Sequence, residues 1–127
     1  MTPNTQALQR LLEALEAGET PNDDLIIAAL GHRRISGGWY VPRLVKWIMD
    51  PADIRAMGAA KALHDALLPG WINRMDLCGQ GAGVSVCHVE LSDWETDFAI
   101  CVDNAPVDNP ARAWLIAIIR AVMAGER

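Results

Sequence analysis

The hydrophobic positions of the chain are most concentrated near its C-terminal end, in the stretch that begins at Asn109. Asn109 and Pro110 are typical of an N-cap and a first helical position, because proline has no N–H to leave unpaired there. Gly125 supplies a stop signal. Apolar residues lie nearly all round the predicted helix, whereas a surface helix has one apolar stripe. The segment is shorter than the roughly 20 residues that span a bilayer, so we predict a core helix, or one shared with a partner, with Arg112 and Arg120 on its exposed edge.

The N-terminal part of the chain predicts two helices with local start and stop signals. The first runs from about Pro3 to Ala17, with leucines at the i, i+3, i+4 and i+7 positions of one face. The second begins after Thr20, which is predicted to cap it together with Asp23 in a capping box, and ends at Gly31. Each helix is therefore expected to bury one apolar face.

The middle of the chain predicts a loop and two further helices. Residues 33–38 contain two adjacent glycines and are predicted to form a flexible loop, followed by a short helix from Pro42 to Met49. The next helix is predicted to start at an Asp50 cap and to end at Leu68. It is expected to run through Ile54, Met57, Ala60, Leu63 and Leu67.

The pattern changes to strands beyond Trp71. In the stretch from Trp71 to Cys78, apolar and polar residues alternate loosely. The stretch from Val84 to Leu91 is rich in β-branched residues, and the stretch from Phe98 to Val102 is predicted to be a third strand that runs back along it. A turn at Ser92-Asp93 and a loop from Asp103 onwards are predicted to bound the last strand. Short connections require antiparallel pairing, because parallel strands need long crossovers. We therefore predict an α+β fold with a small antiparallel sheet, three-stranded or slightly larger, covered by helices.

Composition and charge narrow the classes of function. The chain is 51% hydrophobic and 21% charged, as expected of a single folded domain over residues 1–127. Its formal charge of −5 argues against non-specific nucleic-acid binding, which needs Lys and Arg to neutralise phosphates. Three cysteines and the absence of a basic-then-apolar leader predict reduced thiols in a cytoplasmic protein. We expect no nucleic-acid partner, no membrane span and no cofactor.

A local basic run, His32-Arg33-Arg34, stands against the overall negative charge. Such a run can bind an acidic partner or a phosphate, or it can be a solvated loop. The sequence alone leaves both interpretations open.

Three cysteines and a histidine are the residue types of a Cys₃His zinc site: Cys78, Cys87, His88 and Cys101. Structural zinc sites usually draw paired ligands from one tight turn. Here eight residues lie between Cys78 and Cys87, none between Cys87 and His88, and twelve between His88 and Cys101. Neighbours on a strand point to opposite faces of the sheet, so Cys87 and His88 are not expected to share a site. We assign no catalytic or metal-binding residue. A small metal-binding protein or cysteine-dependent enzyme built on these four residues is the alternative function.

Tryptophan dominates the aromatic residues, with five Trp against one Tyr and one Phe. Trp39, Tyr40 and Trp47 follow a Gly-Gly pair, and exposed aromatic residues there suit a protein interface. The alternative is that this segment folds down onto the core. Trp114 is predicted to anchor the core, and it is also the fourth candidate interface residue, because the exposed flank of the C-terminal helix is the candidate contact of a symmetric homodimer.

The order of these elements, with the stretches LLPGW at 67–71 and NPARAWLIAIIRA at 109–121, resembles the phage ABA sandwich domain. The segment 37–49 is longer than that family's pattern. The resemblance implies a three-layer α/β/α fold and a phage or prophage context, and it implies no catalytic residue. Together with the residues above, it predicts a small non-enzymatic accessory protein that contacts a phage or host protein or a second copy of itself.

Overall fold

The computed structural model describes residues 4–31, 34–35, 38–50, 52–80, 84–93, 99–106 and 109–125. Within these residues helices alternate with antiparallel strands, so the α+β class is confirmed. The elements, in chain order, are α1 (Asn4–Ala17), α2 (Asp23–Leu30), β1 (Arg34–Ile35), β2 (Trp39–Tyr40), α3 (Val41–Met49), α4 (Ala56–Leu67), β3 (Trp71–Gln80), β4 (Val84–Asp93), β5 (Ala99–Pro106) and α5 (Pro110–Gly125).

The larger sheet has the order β3-β4-β5, and both of its pairs are antiparallel, as predicted. Its strands are longer than the sequence indicates. The predicted turn at Ser92-Asp93 is wrong, because Ser92 is paired with Ile72 on one side and with Ala99 on the other. The predicted loop from Asp103 is wrong as well, since β5 continues to Pro106. Ladder pairing on β4 has overridden local turn preferences. Phe98 and residues 81–83, which connect the first two of these strands, lie outside the described residues.

Helix α5 is the centre of the packing. It contacts β4 and β5 of the sheet and also contacts α1, α3 and α4. Every residue from Ala113 to Ile119 is buried. This placement between the sheet and the other helices explains why the helix is apolar nearly all round, and the predicted core helix is confirmed.

The ends and edge of α5 are fixed by polar contacts. Asn109 is its N-cap, because its side-chain Oδ1 accepts a hydrogen bond from the Arg112 N–H at 3.0 Å. Arg120 forms an ion pair with Glu16 of α1. A Cβ atom at Gly18, where φ is +78°, would lie 2.9 Å from an Arg112 guanidinium nitrogen. The edge that carries the two arginines therefore lies beside α1, and α1 is an intramolecular neighbour of the flank predicted for a dimer.

The N-cap of α2 is Asn22 and not Thr20, which corrects the prediction. The Oδ1 atom of Asn22 accepts a hydrogen bond from the Leu25 N–H at 2.8 Å. The i to i+3 spacing of a capping side chain is therefore present, but it begins two residues later than expected. The predicted ends at Ala17 for α1 and Gly31 for α2 are confirmed.

Helix α4 starts later than predicted. Asp50 and Asp53 accept hydrogen bonds from the N–H groups two residues further on, at Ala52 and Arg55, with distances of 3.0 and 2.8 Å. These side chains therefore stabilise turns, which is the alternative that Asp offers to helix capping. The predicted place of Ile54 within the helix is wrong, because Ile54 lies before its first residue and is 99% exposed. The buried face of α4 is Ala56, Ala59, Ala60, Leu63 and His64.

The segment predicted to be a flexible loop contains a two-stranded antiparallel hairpin, β1–β2, which the sequence did not indicate. Arg34 pairs with Tyr40, and Ile35 pairs with Trp39. Gly38, before the second strand, has a φ of +81°, which favours glycine. The predicted helix α3 is confirmed, and it folds onto α2, α4 and α5 through the buried residues Val41, Leu44, Val45, Trp47 and Ile48.

Among the described helices, α5 is the one that contacts the larger sheet extensively, through β4 and β5. This defines one helix–sheet interface and a second helical layer packed on α5. None of the helices in the described part of the chain combines the length and the apolar character needed to cross a membrane.

Candidate interaction surface

Trp39 is a large aromatic side chain that the fold leaves 47% exposed. Its ring packs edge-on against Trp47 of α3, with centroids 5.0 Å apart and an interplanar angle of 69°. Trp47 is itself buried, at 9% exposure. Edge-to-face packing of this kind is a favourable aromatic geometry. The buried ring of Trp47 therefore fixes the orientation of the exposed ring of Trp39.

Arg55, the residue just before α4, supports the same cluster. Its guanidinium carbon lies 4.1 Å from the centroid of the Trp47 ring, which is a cation–π contact. Asp53 holds this guanidinium through two hydrogen bonds, from Nε to Oδ1 at 3.0 Å and from a terminal nitrogen to Oδ2 at 2.9 Å. The hydrogen bonds from the Arg55 side chain and backbone lower the pKa of Asp53, and the same pair raises the pKa of Arg55. A continuous set of contacts thus runs from Asp53 to Trp39.

Tyr40, 41% exposed, lies directly opposite Arg34 in the β1–β2 hairpin. The guanidinium carbon of Arg34 lies 4.9 Å from the centroid of the Tyr40 ring. Tyr40 is also the N-cap residue of α3, so Arg43, three residues later, is its neighbour on the helix surface. We name Arg34, Trp39, Tyr40 and Arg43, together with the buried Trp47 that contacts Trp39 and the exposed Arg55 that contacts Trp47, the aromatic surface.

Two more apolar side chains are exposed next to this surface in the sequence. Ile54 precedes Arg55 and is almost fully exposed, and Met57 in the first turn of α4 is 41% exposed. A single exposed apolar residue is ordinary. Exposed apolar side chains close in sequence to an exposed aromatic cluster, as Ile54 and Met57 are here, instead give a surface with the composition of a protein interface.

The four residues predicted for an interface thus fall into two groups. Trp39 and Tyr40 are exposed on the hairpin, and Trp47 supports Trp39 from below. Trp114 is buried in the core and lies at 5.8 Å, between ring centroids, from His64 of α4. The prediction that Trp114 anchors the core agrees with this burial, whereas its side chain is not part of the aromatic surface.

His64 is a buried polar residue that sequence reasoning did not single out. Its Nδ1 accepts a hydrogen bond from the Trp114 indole N–H at 3.3 Å, and its Nε2 lies 2.8 Å from the carbonyl oxygen of Trp71. An indole N–H only donates and a carbonyl only accepts, so these partners assign the ring proton to Nε2. The available signal was the need of each buried tryptophan for an acceptor. His64 joins α4, β3 and α5 and has no accessible site for chemistry.

The side chains of the four candidate zinc ligands lie outside the described part of the structure, but the backbone register separates Cys78 from Cys101. Cys78 lies opposite Val86 of β4, and Cys101 lies opposite Glu90. These positions are four residues apart along β4, which corresponds to about 13 Å at the usual rise of a strand. Two ligands of one zinc ion, each bonded at about 2.3 Å, cannot bridge that separation. Among the residues whose side chains the structure describes, no three His, Cys, Asp or Glu side chains are grouped to hold a metal ion.

The Asp53–Arg55 pair gives a pH dependence that can be measured. Because the pKa of Asp53 is lowered in the folded chain, the charged carboxylate stabilises the fold above the ordinary Asp pKa of about 4, and this contribution is lost as the pH falls through the folded-state value. Asp53→Asn should therefore have a lower Tm than the wild type at neutral pH, and the difference should vanish in acid. Thermal unfolding of both proteins, followed by circular dichroism from neutral pH into acid, measures this difference in Tm. A difference that does not change with pH would contradict the assigned role of the charge.

Comparisons with family models, with curated proteins and with solved structures give no match. The resemblance to the phage ABA sandwich domain stays a prediction from the sequence.

Proposed function

We propose that the protein is a non-enzymatic interaction module that binds another protein through the aromatic surface. The observation that carries this proposal is that Trp39 and Tyr40 are exposed while their rings are held in place by contacts, Trp39 by Trp47 and Tyr40 by Arg34. Trp, Tyr and Arg are the residue types that dominate interface energies. A side chain that is already ordered loses less conformational entropy on binding, which favours affinity.

The biological setting that we propose is that of a cytoplasmic accessory protein of a phage or prophage, with a phage or host protein as partner. It is supported by the LLPGW and NPARAWLIAIIRA stretches. The three-layer α/β/α arrangement belongs to the same proposal. The contacts of α5 with β4 and β5 support one of its two helix–sheet interfaces.

A symmetric homodimer is the second candidate, in which the partner is another copy of this chain. The exposure of Ile54 and Met57 beside Arg55 favours it, because two such patches can bury each other across a two-fold axis. The flank of α5 that carries Arg112 and Arg120 is less suitable, since α1 lies beside it.

Site-specific photo-crosslinking tests both candidates in one experiment. A benzoylphenylalanine placed at position 40 keeps an aromatic ring on the aromatic surface, and the same residue at position 72 replaces Ile72, an exposed apolar side chain on β3. We expect covalent adducts from position 40 and few from position 72 when cells that produce the protein are irradiated. Adducts of twice the mass of the chain with purified protein identify the homodimer. Equal yields from the two positions would contradict a binding role for the aromatic surface.

A further inference from the structure

Positive charge flanks the aromatic surface of a chain whose overall charge is −5. Arg34 and Arg43 are both exposed: Arg34 lies against the Tyr40 ring in the hairpin, and Arg43 follows Tyr40 by three residues in the first turn of α3. Neighbouring cations are neutralised within the chain: Lys46 pairs with Asp23 at 2.9 Å, and Arg55 pairs with Asp53. Arg34 and Arg43 have no carboxylate partner in the described part of the chain.

The contact between Arg34 and Tyr40 orients the donors of the guanidinium. A guanidinium that lies over an aromatic ring keeps its N–H edges available, and those edges match the two oxygens of a carboxylate. The 4.9 Å separation of Arg34 from the Tyr40 ring is consistent with such stacking. Arg43 adds a second donor group three residues after Tyr40. An aromatic ring with one arginine against it and a second three residues further on, neither paired with a carboxylate in the described residues, is therefore complementary to an acidic segment that carries an apolar group.

We propose that the aromatic surface binds an acidic peptide segment of another protein, which rests on the interaction function proposed above. Carboxylates of the segment pair with Arg34 and Arg43, and its apolar side chains pack on Tyr40 and Trp39. A second copy of the chain is a poor occupant of this part of the surface, because a two-fold axis near Tyr40 would bring arginines of both copies together.

Single-stranded nucleic acid also binds aromatic and arginine side chains, by stacking and by phosphate contacts. The net charge of −5 opposes it, because affinity for a polyphosphate backbone depends on a surplus of Lys and Arg. A short acidic segment needs only the local charge. The peptide is therefore the occupant that charge complementarity favours.

Selection from a random displayed peptide library tests the proposal. The purified wild-type protein should select a pool that is enriched in Asp and Glu. The double variant Arg34→Glu/Arg43→Glu should lose that pool and select Lys-rich and Arg-rich peptides instead. Lys61→Glu makes a charge reversal on α4, outside the aromatic surface, and should select the same acidic pool as the wild type.

The aromatic side chains are tested with one synthetic peptide from the wild-type pool. Tyr40→Ser should weaken its binding at least about tenfold, as expected for an interface anchor, whereas Tyr40→Phe should retain the binding. Every variant is first compared with the wild type by thermal unfolding. If the Glu variant does not fold, Arg34→Gln/Arg43→Gln replaces it and should weaken binding of the same peptide.

The outcomes separate this proposal from the proposed function. A selected pool that depends on Tyr40 or Trp39 but shows no acidic enrichment overturns acidic recognition and leaves the interaction function standing. Failure to select any peptide that depends on these two side chains overturns both. Displacement of the peptide by oligothymidylate at equal charge concentration overturns the peptide in favour of nucleic acid.

Discussion

Replacement of Trp114 by alanine is expected to lower the free energy of unfolding by about 3–5 kcal/mol, the usual cost of removing a large buried aromatic side chain. Trp114 is 7% exposed and belongs to the buried run of α5 that contacts both the sheet and the other helices. Its removal leaves a cavity at the centre of this packing, and it also leaves His64 without its indole donor. Urea denaturation followed by far-UV circular dichroism measures the loss.

The variant Trp114→Phe separates the two contributions. Phenylalanine fills most of the volume but has no N–H, so Nδ1 of His64 becomes a buried acceptor without a donor. An unsatisfied group of this kind costs about 1–3 kcal/mol, and the loss should therefore be smaller than for alanine. A loss near zero in the alanine variant would mean that α5 is not the centre of the fold.

The sequence was informative about α5 because its signals are local. Asn109 and Pro110 mark the start of the helix through backbone chemistry that involves only the next few residues. The burial of its whole circumference followed from composition, since an apolar residue at nearly every position needs cover on several sides. The identity of the covering elements required the three-dimensional contacts.

The start of α4 shows where local reasoning fails. The Asp50-Pro51-Ala52-Asp53 stretch fits a helix N-terminus, and it fits equally well a pair of turns in which Asp accepts from the N–H two residues on. The turns win, so the helix begins at Ala56. Ile54 therefore lies outside the helix and is exposed. His64 is four residues after Ala60, so it shares the buried face of α4 wherever the helix begins.

The candidate site was only partly accessible from the sequence. The residue types of Trp39, Tyr40 and Trp47 suggested an interface, but whether they are exposed or folded onto the core was left open, and the structure exposes the first two and buries the third. The contacts of Arg55 with Trp47 and of Trp47 with Trp39 join different elements. No periodicity within one element encodes such contacts, because they depend on how α3, α4 and the hairpin pack. The support beneath the surface was therefore visible only in the structure.

The second large effect is expected for His64→Ala, with a loss of about 2–4 kcal/mol in the free energy of unfolding. The variant removes a buried ring and deprives the Trp114 N–H and the Trp71 carbonyl of a hydrogen-bond partner. These two groups belong to α5 and to the first residue of β3, so the loss affects the junction of three elements. His64→Gln retains one donor and one acceptor and should lose less.

A double-mutant cycle with Trp114→Phe tests whether the hydrogen bond between the two side chains is the cause. Once Trp114 has been replaced by Phe, the hydrogen bond from the indole N–H to His64 is already absent. His64→Ala then lowers the free energy of unfolding by less than it does in the wild type. The losses should then be less than additive by about 0.5–3 kcal/mol, the range measured for side chains in contact. Denaturation of the wild type, both single variants and the double variant gives this energy directly. Losses that add to within about 0.5 kcal/mol would show that His64 and Trp114 stabilise the core independently, and that the destabilisation comes from lost packing.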